Sequence, residues 1–182
     1  IKRITSNELD SYDLEAELRS IINRRDEIVQ DSFDKLIQEA IVVDLEEKID
    51  RKTLFSRVAQ ELAPSFSLSK EQIAELLNQR EMESSTALIP EVAVPHIVIK
   101  GEEHFEILIA RCKEGVYFCE EASQVKAVFI IIGSKDKRRF HLQALAAIAQ
   151  IIQNPDFDRR WNEARSENHL RDILLLSNRR RS

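Results

Sequence analysis

The residues of this chain best suited to chemistry are two histidines at the entrances of regular elements. His96 follows Pro95 inside Val92-Ala93-Val94-Pro95-His96-Ile97-Val98-Ile99, and His141 opens the helix-like run Phe140-His141-Leu142-Gln143-Ala144-Leu145-Ala146-Ala147-Ile148-Ala149. A neutral imidazole is a competent nucleophile near neutral pH. The β-branched residues around His96 read as a buried strand. Proline has no ladder donor, so it belongs at a strand's first residue, an edge or a bulge. The pattern holds a nucleophilic nitrogen on a rigid element at the point where a sheet opens. Composition alone leaves the two histidines unrelated, so the elements that carry them decide whether they share a site.

Residues 7 to about 39 contain no glycine or proline, and Leu14, Leu18, Ile21, Ile22, Ile28, Val29, Phe33, Leu36 and Ile37 recur at three- and four-residue steps. This predicts an amphipathic helix, interrupted at Arg25 and Ser32 and so unsuited to a long coiled coil. Ile41 to Leu45 reads as a strand, and Lys52 to Leu62 as a helix stopped before Pro64. Ser69 with Gln72 forms a capping-box pattern ahead of a helix over 70 to 82. After the His96 strand come His104 to Ala110 and Val125 to Ile132, the latter apolar on both faces as in a central strand. Gly133-Ser134 ends it. A helix to about Gln153 follows, then helices over about Asp156 to Arg165 and Glu167 to Leu176.

This order predicts an α/β domain, a mixed sheet flanked by helices on both sides, with an N-terminal linking helix. The expected division is residues 1–32 as the charged linking helix and 33–182 as the domain. Residues 141, 145, 148 and 152 share one helix face. Leu145, Ile148 and Ile152 must point at the sheet, so His141 points at the sheet that carries His96. The two histidines are expected to form one site.

The 182 residues are 43% apolar and 32% charged, with a formal net charge of -5. That suits one core, alone or with an appendage, and gives no global field for nucleic acid. No apolar run reaches the roughly 20 residues of a membrane span. Cys112 and Cys119 match no zinc spacing and read as reduced structural thiols, so neither a metal site nor a cofactor is expected. His104 and His169 stand among glutamates and read as solvent-facing. Arg179-Arg180-Arg181 reads as a solvated tail, and Lys135 to Arg139 as surface charge near the start of the His141 helix.

With these residues placed, the chain resembles the enzyme IIA domains of the mannitol/fructose class of the bacterial sugar phosphotransferase system, over about residues 33 to 176. The likeness rests on Arg80-Glu81, Thr86, Ala93-Val94-Pro95-His96 and His141-Leu142, in that order and spacing. It implies a mixed sheet flanked by helices and a phosphoryl group accepted on His96 from HPr, then passed to a IIB component. His141 would orient His96 or donate to a phosphoryl oxygen, and Arg80 and Thr86 would bind phosphate. The chain departs from the family between Thr86 and His96, where Ala87-Leu88-Ile89-Pro90-Glu91 replaces a glycine-rich stretch, and at Ile97. Glycine lets backbone amides approach a phosphate, whereas Glu91 brings negative charge to the loop.

Two readings stay open. The chain is either a regulatory cytosolic IIA-like module of a membrane transporter, of amino-acid permease type, or an active phosphocarrier serving HPr and a IIB component. The first places it in the cytoplasm, tethered to the inner membrane by a transporter region ahead of residue 1. In both, the N-terminal helix packs on the domain or on a second copy, with a homodimer as the commonest closed solution.

Overall fold

The computed structural model describes residues 30–181. In chain order the elements are α1 (Ser32–Glu39), β1 (Ile41–Leu45), α2 (Arg51–Leu62), α3 (Lys70–Glu83), β2 (Ala87–Ile89), β3 (Val92–Ala93), β4 (His96–Ile99), β5 (Phe105–Val116), β6 (Val125–Ser134), α4 (Arg138–Ile152), α5 (Phe157–Glu163) and α6 (Glu167–Leu175). Six strands form one mixed sheet. The spine is the antiparallel pair β5 and β6, with β1 parallel to β5 on the outside. Along the other edge of β6 lie β3 and then β4, both parallel to it, and β2 runs antiparallel to β3.

β6 takes the centre because its apolar residues occupy both parities, and both faces are covered. Val128, Ile130 and Ile132 pack with Leu54, Phe55, Val58 and Leu62 of α2 and with Ile73 and Leu77 of α3. Ala127, Phe129 and Ile131 pack on the other face with Ile37 of α1, Ile148 of α4, Trp161 of α5 and Leu170 of α6. The period-two alternation of a strand sorts neighbouring residues into two cores. Each large side chain so buried contributes about 1.5–3 kcal/mol.

The caps place the functional ends of the helices. Ser69 accepts from the Gln72 amide at 3.1 Å while the Gln72 side chain accepts from the Ser69 amide at 2.8 Å, the reciprocal box expected from the sequence. This fixes the start of α3 and sets Arg80 and Glu81 on its last turn.

Three expectations change. Within the stretch over 7 to 39, Asp31 is extended and caps α1, which starts at Ser32. An aspartate that satisfies first-turn amides marks a helix start, not a helix interior. Residues 7 to 29 of that stretch lie outside the described residues. The tail does not sit free in water. Arg179 pairs with Asp31 and Asp34 at 2.7 and 3.0 Å and lies over the Phe33 ring, and Arg181 pairs with Asp34 at 2.7 Å. Buried Asp34 needs cations, and the tail supplies them. The inward face of α4 is centred on Ala144, Ala147, Ile148 and Ile151, leaving Leu145 and Ile152 half-buried, with His141 still facing the core.

Candidate functional site

The β-branched run around His96 is cut where the site needs it. Pro95 has no N–H, and Val94 donates its N–H to the Thr86 carbonyl at 2.9 Å. β3 therefore ends at Ala93 and β4 starts at His96, opposite Ile131 of β6. Ile131 donates to the Pro95 carbonyl at 2.9 Å, so the rows stay in step across the break.

His96 Nδ1 lies 2.9 Å from the Val94 carbonyl oxygen. A carbonyl only accepts, so this nitrogen carries the ring proton and Nε2 keeps its lone pair. Arg80 agrees: its Nη2 approaches Nε2 at 3.5 Å and can only donate. Its Nη1 is held by the Ser84 carbonyl at 3.1 Å and the Ser84 hydroxyl at 3.2 Å. In its neutral form the half-exposed imidazole thus presents an unprotonated nitrogen, with a guanidinium in front of it.

His141 stands on the first turn of α4 and is only 6% exposed. A Cβ on Gly133 would come within 2.4 Å of His141 Nε2 and 2.7 Å of Phe105, so the missing side chain of Gly133 is the seat of the ring. Phe105 meets it edge-on, with ring centroids 5.0 Å apart. Gly133 is two residues beyond Ile131, on the same face of β6, so His141 lies on the His96 side of the sheet. Burial pushes the His141 imidazole below its ordinary range, and His96 pushes it further the same way, while a backbone bond to Gly133 acts in the opposite sense. Its Nε2 is buried without a hydrogen-bond partner. The sequence offered a sign of this seat, a glycine closing an otherwise β-branched strand. In sequence alone the same glycine marks only the end of the strand.

Thr86 stands one step back. Its hydroxyl donates to Glu81 Oε2 at 2.6 Å and its amide to Glu81 Oε1 at 3.0 Å. The structure therefore brings Arg80 to His96, seats His141 against Gly133 on the same side of the sheet, and binds Thr86 to Glu81. The stretch that replaces glycine is a tight hairpin of β2 and β3. The Glu91 carbonyl accepts from Lys126 and Ala127 at 2.9 and 3.1 Å, roughly 15 Å along the strands from His96. Ile97 faces the core at 5% exposure, so a side chain there is used for packing.

The remaining candidates are structural. His169 is buried, contrary to its glutamate-rich surroundings, because Nδ1 accepts from the Arg165 amide at 3.0 Å in the turn leading into α6. His104 is half-buried beside Phe66, their rings 5.8 Å apart. Both cysteines are free, and burial, with Asp44 adding to it, pushes the Cys112 thiol up to about 12. Among the described residues no three His, Cys, Asp or Glu side chains are grouped to hold a metal, and no helix is long and apolar enough to cross a membrane.

The profile of the family described as phosphoenolpyruvate-dependent sugar phosphotransferase system, EIIA 2, matches residues 35–176. A nitrogen regulatory protein of Bradyrhizobium diazoefficiens is 26% identical over 127 residues, which cover 69% of this chain and 83% of that protein. The fructose-specific EIIABC component of Bacillus subtilis is 28% identical over 101 residues, 55% of this chain but only 16% of that protein. The crystal structure of the nitrogen regulatory protein IIA-Ntr from Neisseria meningitidis superposes with a TM-score of 0.69 at 26% identity, covering 78% of this chain and 97% of that one. IIA mannitol from Escherichia coli, at 17% identity and a TM-score of 0.61, shares the fold over 73% of this chain and 94% of its own.

Proposed function

Because the chain belongs to the EIIA 2 family of the phosphoenolpyruvate-dependent sugar phosphotransferase system, we propose that it is a cytoplasmic IIA domain that accepts a phosphoryl group on Nε2 of His96. One observation carries this reading: the Val94 carbonyl fixes the proton on Nδ1, which leaves the Nε2 lone pair facing Arg80.

The chemistry balances without a separate base. The Nε2 lone pair attacks the phosphorus of a phosphoimidazole protonated on its other nitrogen, such as that of HPr. The new N–P bond forms as the donor's N–P bond breaks, and the donor ring leaves neutral with the electron pair. His96 becomes a phosphoimidazolium whose Nδ1–H stays on Val94. Phosphoryl transfer asks for in-line placement and for donors around the equatorial oxygens. Arg80 supplies a charged donor. The buried, unpartnered Nε2 of His141 supplies a second where it bears a proton. Thr86 supports the loop from behind.

The output is regulatory in this proposal. The favouring observation is coverage: the likeness spans most of the nitrogen regulatory proteins and a small part of the fructose-specific EIIABC component. HPr-type donors and IIB-type acceptors are the proposed partners, in keeping with a fold shared with IIA mannitol, which is also known in complex with phosphorylated IIB. A transporter membrane region ahead of residue 1 belongs to the same proposal. Apolar spans of about 20 residues in the encoding gene test it.

The biochemical test is incubation with phosphoenolpyruvate, enzyme I and HPr. The expected result is an acid-labile phosphate on His96 that His96→Ala abolishes. Protein that takes no label while a true IIA control does overturns the acceptor reading.

A further inference from the structure

Glu81 is 5% exposed, and both of its carboxylate oxygens accept from Thr86, at 3.0 Å from the amide and 2.6 Å from the hydroxyl. A buried charge needs such partners, and charge-assisted bonds of this kind are the stronger sort. The chain of contacts does not end at Thr86. Its carbonyl accepts from Val94 N–H at 2.9 Å, and the Val94 carbonyl, at the other end of the same residue, accepts from His96 Nδ1 at 2.9 Å. Val94 is 1% exposed and precedes Pro95, whose ring fixes φ and restricts Val94 as well. Its carbonyl is aimed from two ends, by Thr86 holding the Val94 amide and by Ile131 holding the Pro95 carbonyl.

We infer that Glu81 is a positioning residue: through Thr86 and Val94 it holds His96 in the Nδ1–H form and thereby leaves Nε2 as the nitrogen that takes the phosphoryl group. Consecutive residues then act on opposite nitrogens of one ring, Arg80 on Nε2 directly and Glu81 on Nδ1 through two hydrogen-bonded neighbours. Thr86 is part of the same device. Its hydroxyl proton is committed to Glu81, and its backbone carries the constraint onward.

The regiochemical part rests on the reading of His96 as phosphoacceptor, whereas the tautomer can be read without any phosphate. The test is ¹⁵N NMR of histidine-labelled protein at a pH where His96 is neutral, on wild type, Glu81→Gln, Glu81→Ala and Thr86→Val. Wild type should show His96 almost wholly as the Nδ1–H form. Glu81→Gln keeps an acceptor for the Thr86 amide and should stay close to wild type. Glu81→Ala and Thr86→Val should raise the Nε2–H fraction by about fivefold to tenfold, the worth of one ordinary hydrogen bond. In the phosphorylated protein, the same two variants should carry part of the label on Nδ1, where wild type carries it on Nε2.

Thr86→Val is near-isosteric and provides the reading if Glu81→Ala does not fold. An unchanged His96 tautomer in folded Glu81→Ala or Thr86→Val overturns the inference, because a merely structural Glu81 would lower stability and leave the ring nitrogens alone. A shifted tautomer in a protein that accepts no phosphate upholds the positioning role and sinks the acceptor reading instead.

Discussion

Two arginines, Arg111 on β5 and Arg80 on the last turn of α3, show two uses of the same side chain. Arg111 is 1% exposed and its donors are closed off: Nε and Nη2 lie 2.9 and 2.6 Å from the two Asp44 oxygens, and Nη1 bonds the carbonyls of Trp161 and Ala164. It ties β1 and β5 to the end of α5. Arg80 is half-exposed, anchored by one nitrogen on Ser84, with the other 3.5 Å from a histidine lone pair. On the His96 side of the sheet, His141 has a buried nitrogen with no hydrogen-bond partner. Under the proposed function, the free donor of Arg80 is one that a phosphoryl group on His96 would meet, whereas the donors of Arg111 are already taken by the protein.

The largest expected effects fall on opposite readouts at the two clusters. His96→Ala should abolish phosphate incorporation and cost about 1 kcal/mol of stability, the net worth of its bond to Val94. Arg111→Met should do the reverse. Removing one partner of a buried pair leaves Asp44 uncompensated and costs roughly 3–5 kcal/mol, a fall in Tm on the order of 6–20 °C for a chain of this size. Folded Arg111→Met should still accept phosphate at the wild-type rate. Differential scanning calorimetry together with the labelling assay checks both. A His96→Ala variant that loses several kcal/mol, or an Arg111→Met variant that is stable but unlabelled, breaks the contrast.

The difference between the clusters is only half legible in the sequence. Strand β1, the Ser69–Gln72 cap and the doubly buried β6 follow from local patterns, and they emerge in the structure as read. The inward side of α4 carries His141 even though the face is turned by about one residue, because positions 141, 144, 148 and 151 are as regular as the set first read. What sequence does not show is pairing across distance. Arg179 meets Asp31 and Asp34 from the far end of the chain, and Arg111 meets Asp44 across 67 positions. Each of these arginines looks like surface charge in isolation. The break of the His96 run into β3 and β4 was half announced by Pro95. The other half, Val94 turning its N–H to Thr86, depends on a hairpin that Leu88, Ile89 and Pro90 did not advertise.

A smaller effect sharpens the comparison at the seat of His141. Gly133→Ala places a methyl group within 2.4 Å of the imidazole and 2.7 Å of Phe105, both held from behind by the core. Overpacking of this kind costs about 1–3 kcal/mol. The ring must swing away from the His96 face, so phosphate acceptance should slow along with the loss of stability. The equivalent glycine-to-alanine change at Gly101 meets only the edge of the His104 ring, at 3.3 Å, and should leave labelling intact. Equal labelling of the two variants would mean that His141 takes no part.

The smallest effect is a pH dependence, and its sign follows from the burial of His141. Burial, then the neighbouring His96, hold the His141 imidazole below its ordinary 6.5. Near and below pH 6.5 the unfolded chain therefore binds a proton that the folded chain refuses, and stability rises with pH through that window. The contribution is level above 6.5. As pH falls it declines until the folded-state value is passed, and then it levels again. His141→Gln, which cannot titrate, should remove this slope from the curve of unfolding free energy against pH. A phosphoryl group on His96 should reverse the local field, since its negative charge favours imidazolium at His141. The His141 titration followed by NMR should then move upward on phosphorylation, and in the charged form both ring nitrogens bear protons, so the nitrogen now without a partner becomes a donor to a phosphoryl oxygen. A His141 titration that does not move when His96 is phosphorylated would place the two imidazoles out of each other's reach and leave Arg80 alone to meet the phosphate.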